Sequence, residues 1–323
     1  MLILVQAHVD NSLMKIESSL MLRTRPFFSI IVPTYNRPKK LGDCLESLSH
    51  LDYPRDRFEV IVIDDGSPTP LQPVVEGFLK QLDLTLLTQT NAGPASARNT
   101  GAKKAKGEFL VFTDDDCTPS PDWLRKLANR FAEIPDHAIG GRTLNALPGN
   151  PYSTASQDLI DASYVYHNPI SGQVSFFTSN NLTVPAAHFH SIGGFDITFK
   201  TSEDRDFCDR WRHNGFRMTY APEILIYHSH PMNFCAFWRR YFNYGRGAYR
   251  YHQARARRGV GRFRPSPTFY MSLFLNSLMK ERKRRVVWMK MLLVISQVAN
   301  ALGFFCEALS QIKRRKNQQS FVL

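Results

Sequence analysis

Two patterns of apolar residues alternate in the first third of the chain. Four short runs are largely apolar without strict alternation, as in strands that are buried on both faces of a parallel sheet. Those runs are FFSIIVP, FEVIVID, LTLLTQT and EFLVFT, which begin at Phe27, Phe58, Leu84 and Glu108. Between the first two, apolar residues recur at helical spacing at Leu41, Cys44, Leu45 and Leu48. This order predicts a doubly wound α/β unit with a mostly parallel central sheet flanked by helices.

A polar segment follows each predicted strand. The segments are PTYN from Pro33, DDGS from Asp64, NAG from Asn91 and DDD from Asp114. Ligands of open α/β sheets bind outside the carboxyl ends of the strands, so the four segments are expected to converge on one edge. A dinucleotide site would need G-x-G-x-x-G after the first strand, and PTYNRP lacks it. This argues against a nicotinamide or flavin enzyme.

The acidic triplet Asp114-Asp115-Asp116 predicts a divalent metal site. Three adjacent carboxylates repel one another unless a cation neutralises them, and Mg²⁺ or Mn²⁺ prefers such oxygen ligands. Mg²⁺ commonly uses one or two carboxylates together with substrate phosphates, which suits a nucleotide diphosphate. The alternative is an acidic helix cap or a solvated loop.

The other polar segments offer contacts for a nucleotide. Asp64 and Asp65 can accept hydrogen bonds from a uracil imide or a ribose hydroxyl, and Tyr35 offers a ring on which a base can stack. The alternative for Asp64–Ser67 is a tight turn into a helix, capped by Ser67.

Two further sites lie in the second half of the chain. Glu203-Asp204 opens an amphipathic stretch that runs to His213. These acids either stabilise the helix N-terminus or, in the case of Asp204, act as a general base toward an acceptor hydroxyl. His228 ends the apolar run ILIYH, where it is either structural or an additional ligand of the metal. Shorter strands are expected in QVSFFTSNNLTVP, FRMTYAP and ILIYH.

The positive charge is concentrated at the C-terminal end. Residues 239–323 hold 19 Lys or Arg and two acids, a net charge of +17, whereas the residues before them sum to −4. An anionic membrane, a lipid pyrophosphate or nucleic acid can each attract such a segment, and a solvated basic tail is the alternative. The apolar stretch 286–309 contains Lys290, Gln297, Asn300 and Glu307, so we expect an interfacial or packed helix rather than a membrane span.

Composition and the N-terminal segment add three expectations. With 323 residues, 43% of them hydrophobic, the chain can bury a substantial core. Its five cysteines form no C-x-x-C pair, which is typical of a reducing compartment. The apolar runs of residues 1–25 are too short for a signal peptide or a span, so we expect a flexible extension there.

Taken together, these stretches resemble the family 2 glycosyltransferases, which have the GT-A fold, over residues 27–249. The matching stretches are SIIVPTYNR, VIVIDDGS, NAGPASARNTGAKKAKGEFLVFTDDD, PDWL, SNNLTVP, IGGFD, SEDRDFCDRW and YHSH. The resemblance implies an inverting, metal-dependent transfer from a nucleotide sugar. It also implies a nucleotide-sugar-binding half at residues 26–135 and an acceptor-binding half at 136–232. The charge and the apolar stretch described above predict a basic, helical, membrane-associating region at 233–323.

The resemblance also implies roles for individual residues. Asp204 matches the catalytic base, Asp116 the principal metal ligand and His228 a histidine that completes the metal shell in some members. Asp115 falls where an acid meets the ribose or the metal, and Asp114 only braces the turn. The remaining donor-side positions are Pro33, Tyr35, Asn36, Asp65 and Arg98, and the acceptor-side positions are Gly194, Phe195, Asp196 and Glu203.

One departure and two alternatives complete the prediction. Processive members carry Q-x-x-R-W after the base-bearing helix, whereas this chain has FCAFWRRYFNYGRG, which favours addition of a single sugar. A nucleotidyltransferase would show a glycine-rich basic loop after the first strand, and a non-enzymatic polyanion-binding protein would have little use for the acidic triplet. We therefore expect a UDP-sugar donor, a glycan or lipid-linked acceptor, Mn²⁺ or Mg²⁺, and no nucleic acid. The protein is expected to be cytoplasmic and bound peripherally to the inner face of the plasma membrane.

Overall fold

A computed structural model describes residues 25–168, 174–260 and 283–320, with side chains of the last segment from 287 to 314. Within these ranges the strands form one eight-stranded sheet. The strands are β1 (Phe28–Thr34), β2 (Phe58–Asp64), β3 (Leu84–Thr88), β4 (Phe109–Phe112), β5 (Cys117–Pro119), β6 (Ala138–Asn145), β7 (Leu182–Pro185) and β8 (Met218–His228). The predicted extension, apart from Arg25, and the whole basic cluster at 280–285 lie outside the described side chains.

Nine α-helices surround the sheet in the described part of the chain. They are α1 (Pro38–Ser49), α2 (Gln72–Glu76), α3 (Pro94–Lys104), α4 (Trp123–Glu133), α5 (Pro151–His167), α6 (Ala186–Ser191), α7 (Glu203–His213), α8 (Phe234–Arg257) and α9 (Lys283–Ser320). The predicted helices at Leu41–Leu48, after Pro94 and at Glu203–His213 correspond to α1, α3 and α7. The predicted α/β class is confirmed.

The sheet is mixed, in the order β3-β2-β1-β4-β7-β6-β8-β5. Strands β1 to β4 are mutually parallel, as the apolar runs predict. The other half of the sheet contains antiparallel pairs. Strand β7 pairs antiparallel with β4 and with β6, and β5 pairs antiparallel with β8 at the far edge. Register places Thr34 beside Asp64, so the loops that follow β1 and β2 are neighbours.

Two of the strand predictions for the second half were wrong in detail. Residues 174–178 form no strand, and the strand begins only at Leu182, after a 3-10 turn. FRMTYAP and ILIYH belong to a single strand, β8. Its pairing with β6 jumps from Gly141 opposite Ala221 to Arg142 opposite Leu225, so Pro222 lies in an irregularity where its missing N–H costs no ladder bond.

The strands are largely apolar because both faces of the sheet are covered, and the buried polar residues Ser29 and Glu59 are hydrogen-bonded to each other. Phe28, Ile30 and Val32 of β1 are buried together with apolar residues of α1 and α4. The intervening Ile31 belongs to the opposite layer with residues of α3, α6 and α7. A strand with a core on each side has no position at which a polar residue would be favoured.

The two C-terminal helices pack against each other and against α5, forming a third apolar cluster. Glycines allow the close approach: a Cβ at Gly245 would collide with the carbonyl of Asn300, and one at Gly303 with that of Phe242. The buried carboxylate of Glu307 accepts hydrogen bonds from Arg246 at 2.9 Å and Arg250 at 2.8 Å. Helix α9 is therefore part of the folded body.

Candidate functional site

A cavity of about 700 Å³ opens at the carboxyl ends of β1, β2 and β4. The sheet side is lined by Pro33, Asp65, Asp114 and His228, among others, and the opposite side by residues of α5, α7, α8 and α9. Its volume is within the range of small-molecule sites, which is about 300–1,000 Å³. The loops that the strand-end rule brings together thus form one wall of a single cavity.

The three aspartates of the triplet have different surroundings. Asp114 accepts a hydrogen bond from Arg98 at 2.6 Å. Asp115 is fully buried and accepts one from the hydroxyl of Thr34 at 2.7 Å. Asp116 lies 3.1 Å from the Nε2 of His228. Asp114 is therefore held by an arginine, Asp115 is a buried carboxylate, and Asp116 is a carboxylate beside an imidazole.

The backbone fixes Asp116 against His228. Cys117 is opposite His228 in the pairing of β5 with β8, and the Ser229 N–H donates to the Asp116 carbonyl at 2.8 Å. One ligand atom each from Asp116, Cys117 and His228 lies within 4.8 Å of the others. Burial raises the pKa of the Cys117 thiol well above its ordinary value.

The donor set fits a hard divalent cation. Asp115 and Asp116 supply carboxylate oxygens, and His228 supplies an imidazole whose Nδ1 has no hydrogen-bond partner among the described residues. Carboxylate and imidazole ligands suit Mn²⁺, and carboxylates with phosphate suit Mg²⁺. Mn²⁺ or Mg²⁺ is therefore compatible with these side chains.

Burial and neighbouring charges separate the pKa values of the two aspartates. Burial raises the pKa of Asp115 to about 6, although Arg37 and the Thr34 hydroxyl favour its ionised form. Burial also opposes the ionisation of Asp116, but its hydrogen bond with His228 and the charges of His228, Lys40 and Arg37 hold its pKa well below the usual range. Asp116 is thus the member of the pair that ionises more readily.

The predicted donor-side residues are distributed around the same edge. Pro33, Tyr35, Asp65 and Arg98 line the cavity, and the ring of Tyr35 is exposed. The carboxylate of Asp65 accepts three hydrogen bonds, from the N–H groups of Ala92 and Gly93 and from the Gln89 amide, at 2.7–2.9 Å. Asp65 therefore holds the NAG loop in place as well as facing the cavity.

Asn36 shapes the loop rather than the wall of the cavity. Its φ of 53° is left-handed, a conformation that asparagine tolerates better than most residues. Its N–H donates to the hydroxyl of Ser67 at 2.7 Å, which joins the loops after β1 and β2.

Arg98 connects the triplet to the helix that carries Asp204. It is buried, and its guanidinium reaches Asp114 at 2.6 Å and Glu203 at 3.1 Å. Glu203 is the first residue of α7, so this bridge fixes the start of that helix relative to the sheet edge. Arg98 also lines the cavity.

Asp204 faces the cavity from the first turn of α7. One of its oxygens accepts a hydrogen bond from the Arg205 N–H at 2.8 Å. Burial and the neighbouring charge of Glu203 raise the pKa of Asp204 to about 7. A carboxylate with this pKa can take up a proton near neutral pH, as a general base must.

The predicted acceptor-side loop is not part of the cavity lining. Phe195 is buried among Phe112, Phe189 and Phe207. Asp196 accepts hydrogen bonds from the backbone and hydroxyl of Thr198, and Gly194 packs against Asn99. Of the acceptor-side residues, only Glu203 lines the cavity.

The wall opposite the sheet comes instead from the C-terminal helices. Residues of α8 that face the cavity recur at helical spacing, at Arg240, Tyr244, Ala248 and His252, and Tyr241 lies beside them. The sequence predicted this region to be helical and membrane-associating. The four-residue spacing of these side chains is visible in the sequence, but the side of α8 that faces the enzyme body is not.

Two cationic side chains beside the aspartates were also not predicted from the sequence. Arg37 contacts both Asp115 and Asp116, and Lys40 contacts Asp116, each at 3.1 Å. Arg37 stands within SIIVPTYNR, and Lys40 lies in the first turn of α1. Their pairing joins residues far apart in the chain, so no local pattern indicates it.

A family model described as glycosyl transferase family 2 matches residues 29–205, more than half of the chain. Glycosyltransferase AglE of Haloferax volcanii is 25% identical over 210 residues, covering 64% of this chain and 68% of AglE. The pre-mycofactocin glycosyltransferase of Mycobacterium tuberculosis is 30% identical over 212 residues, covering 62% of this chain and 42% of that protein. The chain therefore spans less than half the length of the mycobacterial relative.

Two solved structures share the fold. The mannosyltransferase PcManGT from Pyrobaculum calidifontis, in complex with GDP-Man and Mn²⁺, covers 92% of this chain and 84% of its own, with a TM-score of 0.57 and 20% identity. A structure of S. aureus TarS in complex with UDP covers 90% of this chain and 92% of its own, with a TM-score of 0.56 and 19% identity. At these identities the similarity establishes the fold alone.

Proposed function

Because the chain belongs to glycosyltransferase family 2, we propose that it transfers a single sugar, with inversion, from a UDP-sugar to a hydroxyl of a glycan or lipid-linked acceptor. The observation that carries this proposal is the shared cavity of Asp204, Asp114 and His228, with Asp116 directly beside His228. Of the proposed metal ligands, His228 lines the cavity and Asp116 lies behind it. A base that shares a cavity with a metal site is what an inverting transfer requires.

The donor lies along the sheet edge in this proposal. Tyr35 stacks on the base, Asp65 accepts from the base or ribose, and Asp115 is near the ribose. Asp115, Asp116 and His228 would hold the divalent cation, which when bound neutralises charge on the leaving diphosphate. Support comes from the donor set and from relatives whose structures contain UDP or GDP-Man with Mn²⁺.

Asp204 performs the proton transfer. The acceptor hydroxyl oxygen attacks the anomeric carbon while the bond from that carbon to the diphosphate oxygen breaks. The hydroxyl proton moves to the free carboxylate oxygen of Asp204, and the nucleoside diphosphate leaves with the bonding electrons. The position of Asp204 on the cavity and its raised pKa support this role.

The experiment that tests the proposal is a donor panel. Purified protein would be incubated with UDP-, GDP- and dTDP-sugars with Mn²⁺, with Mg²⁺ or with a chelator, and release of nucleoside diphosphate would be measured. We expect release from a UDP-sugar that depends on the metal. If no donor is bound or turned over in the presence of either metal, the proposed activity is wrong.

The acceptor is proposed to lie against α8. Tyr241, Tyr244 and Ala248 face the cavity there, and aromatic faces are favourable surfaces for sugar rings. Replacing Ala248 with phenylalanine would fill this part of the cavity. We expect transfer to an acceptor to fall by roughly tenfold or more, the effect of about 1.4 kcal/mol, whereas Mn²⁺-dependent UDP binding stays unchanged.

The matched control is Ala236→Phe, an exposed position on the same helix outside the cavity lining. Acceptor KM, transfer rate and UDP affinity would be measured for both variants. Equal transfer rates for wild type and Ala248→Phe would exclude α8 as the acceptor wall.

We also propose that the outer face of α9 binds the surface of an anionic membrane. Within the described residues, Val287–Arg314 is long and apolar enough by composition to cross a membrane, but its inner face packs on the body. The outer face forms an apolar stripe whose members are between 44% and 68% exposed. The stripe consists of Val287, Trp288, Met291, Val294, Val298, Leu302, Phe305, Leu309 and Ile312. Together with the net charge of the C-terminal region, this supports an in-plane orientation.

Point substitutions test this better than truncation, because α9 also lines the cavity. The combined change Trp288→Ser and Phe305→Ser should weaken binding to vesicles of anionic phospholipid by about tenfold or more, since two exposed apolar side chains no longer enter the lipid. Cosedimentation would measure it. Leu79→Ser, which changes an exposed apolar residue in the turn after α2, is the control. If wild type fails to bind these vesicles at physiological salt, the membrane proposal is wrong.

A further inference from the structure

Two cations occupy the oxygens that a divalent metal would need. The Nη2 of Arg37 is 3.1 Å from Oδ1 of Asp115, and its Nη1 is 3.1 Å from Oδ2 of Asp116. The Nζ of Lys40 is also 3.1 Å from Oδ2 of Asp116. The other oxygen of each aspartate is engaged by Thr34 or His228. Three of the four carboxylate oxygens therefore accept a hydrogen bond or lie against the His228 imidazole, whereas Oδ1 of Asp115 is held only by the ion pair with Arg37 and has no hydrogen bond among the described residues.

This arrangement implies competition. A divalent cation bound to carboxylates lies about 2.0–2.6 Å from their oxygens, closer than either side chain. The guanidinium of Arg37 and a metal ion against the same two oxygens would repel each other at short range. Metal binding to Asp115 and Asp116 therefore favours displacement of Arg37 from them.

Arg37 is the more exposed of the two cations and also faces the cavity. Its side chain is 43% exposed, whereas that of Lys40 is 29% exposed and also donates to the Ser229 carbonyl. Arg37 precedes the first residue of α1 and lines the cavity beside Pro33 and Tyr35. A guanidinium presents two parallel N–H donors, which match the oxygens of a phosphate as well as those of a carboxylate.

We propose that Arg37 is a positioning residue that exchanges partners: it neutralises Asp115 and Asp116 before the donor binds and moves to the donor diphosphate when the metal arrives. This rests on the proposed function, in that the ligand is a nucleoside diphosphate with a divalent cation. It follows that Arg37 weakens binding of the metal alone and strengthens binding of the nucleotide with the metal. The two ligands are thereby coupled through one side chain.

The test is Arg37→Gln, with two affinities measured on the intact protein. Free Mn²⁺, followed by electron paramagnetic resonance, gives the affinity for the metal alone. Titration calorimetry gives the affinity for whichever of UDP, GDP and dTDP binds wild type most tightly with Mn²⁺. We expect Mn²⁺ alone to bind roughly threefold or more tighter, as a partly exposed competing ion pair is lost. The nucleotide with Mn²⁺ should bind about tenfold weaker, the effect of losing a charge-assisted hydrogen bond.

Two further variants sharpen the result. Lys39→Gln removes a neighbouring charge whose side chain is 88% exposed and pairs with Asp43, and it should change neither affinity. Arg37→Lys retains the charge without the bidentate fork, so nucleotide binding should weaken while Mn²⁺ alone binds close to the wild-type value.

The outcomes separate the two proposals. If wild type binds neither Mn²⁺ nor any of the three nucleotides with Mn²⁺, the proposed function fails and the exchange fails with it. If wild type binds both but Arg37→Gln shifts the two affinities in the same direction, or shifts neither, the exchange is overturned and the proposed function stands. Only shifts in opposite directions, absent in Lys39→Gln, support the exchange.

Discussion

Replacing Asp116 with asparagine should abolish metal-dependent donor binding and with it turnover. Asp116 is the carboxylate whose pKa neighbouring charges hold lowest, and its Oδ1 is 3.1 Å from His228. The amide keeps the shape but removes the negative charge that attracts the cation. Mutation of a residue that only supports a metal ligand typically lowers metal affinity by about tenfold to hundredfold. Loss of the ligand itself should cost at least as much, so we expect metal affinity to fall by about a hundredfold or more.

The measurement is UDP affinity with and without Mn²⁺, together with nucleoside diphosphate release. In wild type the metal should strengthen UDP binding, and in Asp116→Asn the two affinities should be alike. Asp43→Asn, an exposed carboxylate on α1 paired with Lys39, is the control and should behave as wild type. Metal-dependent binding that survives in Asp116→Asn would remove this residue from the metal site.

Replacing Asp204 with asparagine should leave donor binding intact and remove transfer. The residue lines the cavity, and none of its described contacts is with the metal-binding pair. Loss of a general base typically costs about 10²–10⁴-fold in rate, and we expect a decrease in that range. UDP affinity with Mn²⁺ is the internal control, because it should match wild type. Transfer that persists at the wild-type rate would exclude Asp204 as the base.

The pH dependence of transfer provides a second readout for the same residue. The base acts only when ionised, and burial raises the pKa of Asp204 to about 7. Below that pH the folded protein holds Asp204 protonated, so the transfer rate should fall about tenfold for each pH unit. The rate should level off above pH 7. In Asp204→Asn this slope should disappear, whereas a slope caused by donor binding would remain.

Local patterns predicted the first half of the fold well. The largely apolar run of β1 and the helical spacing of apolar residues in α1 are patterns among residues close together in the chain. They can therefore be recognised without tertiary information. The strand-end rule then predicted correctly that the segments after β1, β2 and β4 would meet at one edge. In β8, a proline divided one strand into two apparent ones, because the irregularity that accommodates it depends on the pairing with β6.

Local patterns predicted less of the site. They indicated acids at a strand end and an acid at a helix start, but could not show that Arg98 would join Asp114 to Glu203. Nor could they show that Arg37 and Lys40 would pair with Asp116. Such contacts join segments far apart in the chain, and their geometry is decided only when the layers pack.

In the C-terminal helices, too, the sequence determined some properties and the tertiary structure determined others. The amino-acid sequence by itself determined their charge, their aromatic content and the four-residue spacing from Arg240 to His252. Tertiary structure decided which face of α8 lines the cavity and which face of α9 is exposed, because the close crossing at Gly245 and Gly303 sets the rotation of the two helices about their axes. Periodicity specifies that a helix has two faces, and only packing against other elements specifies what each face contacts.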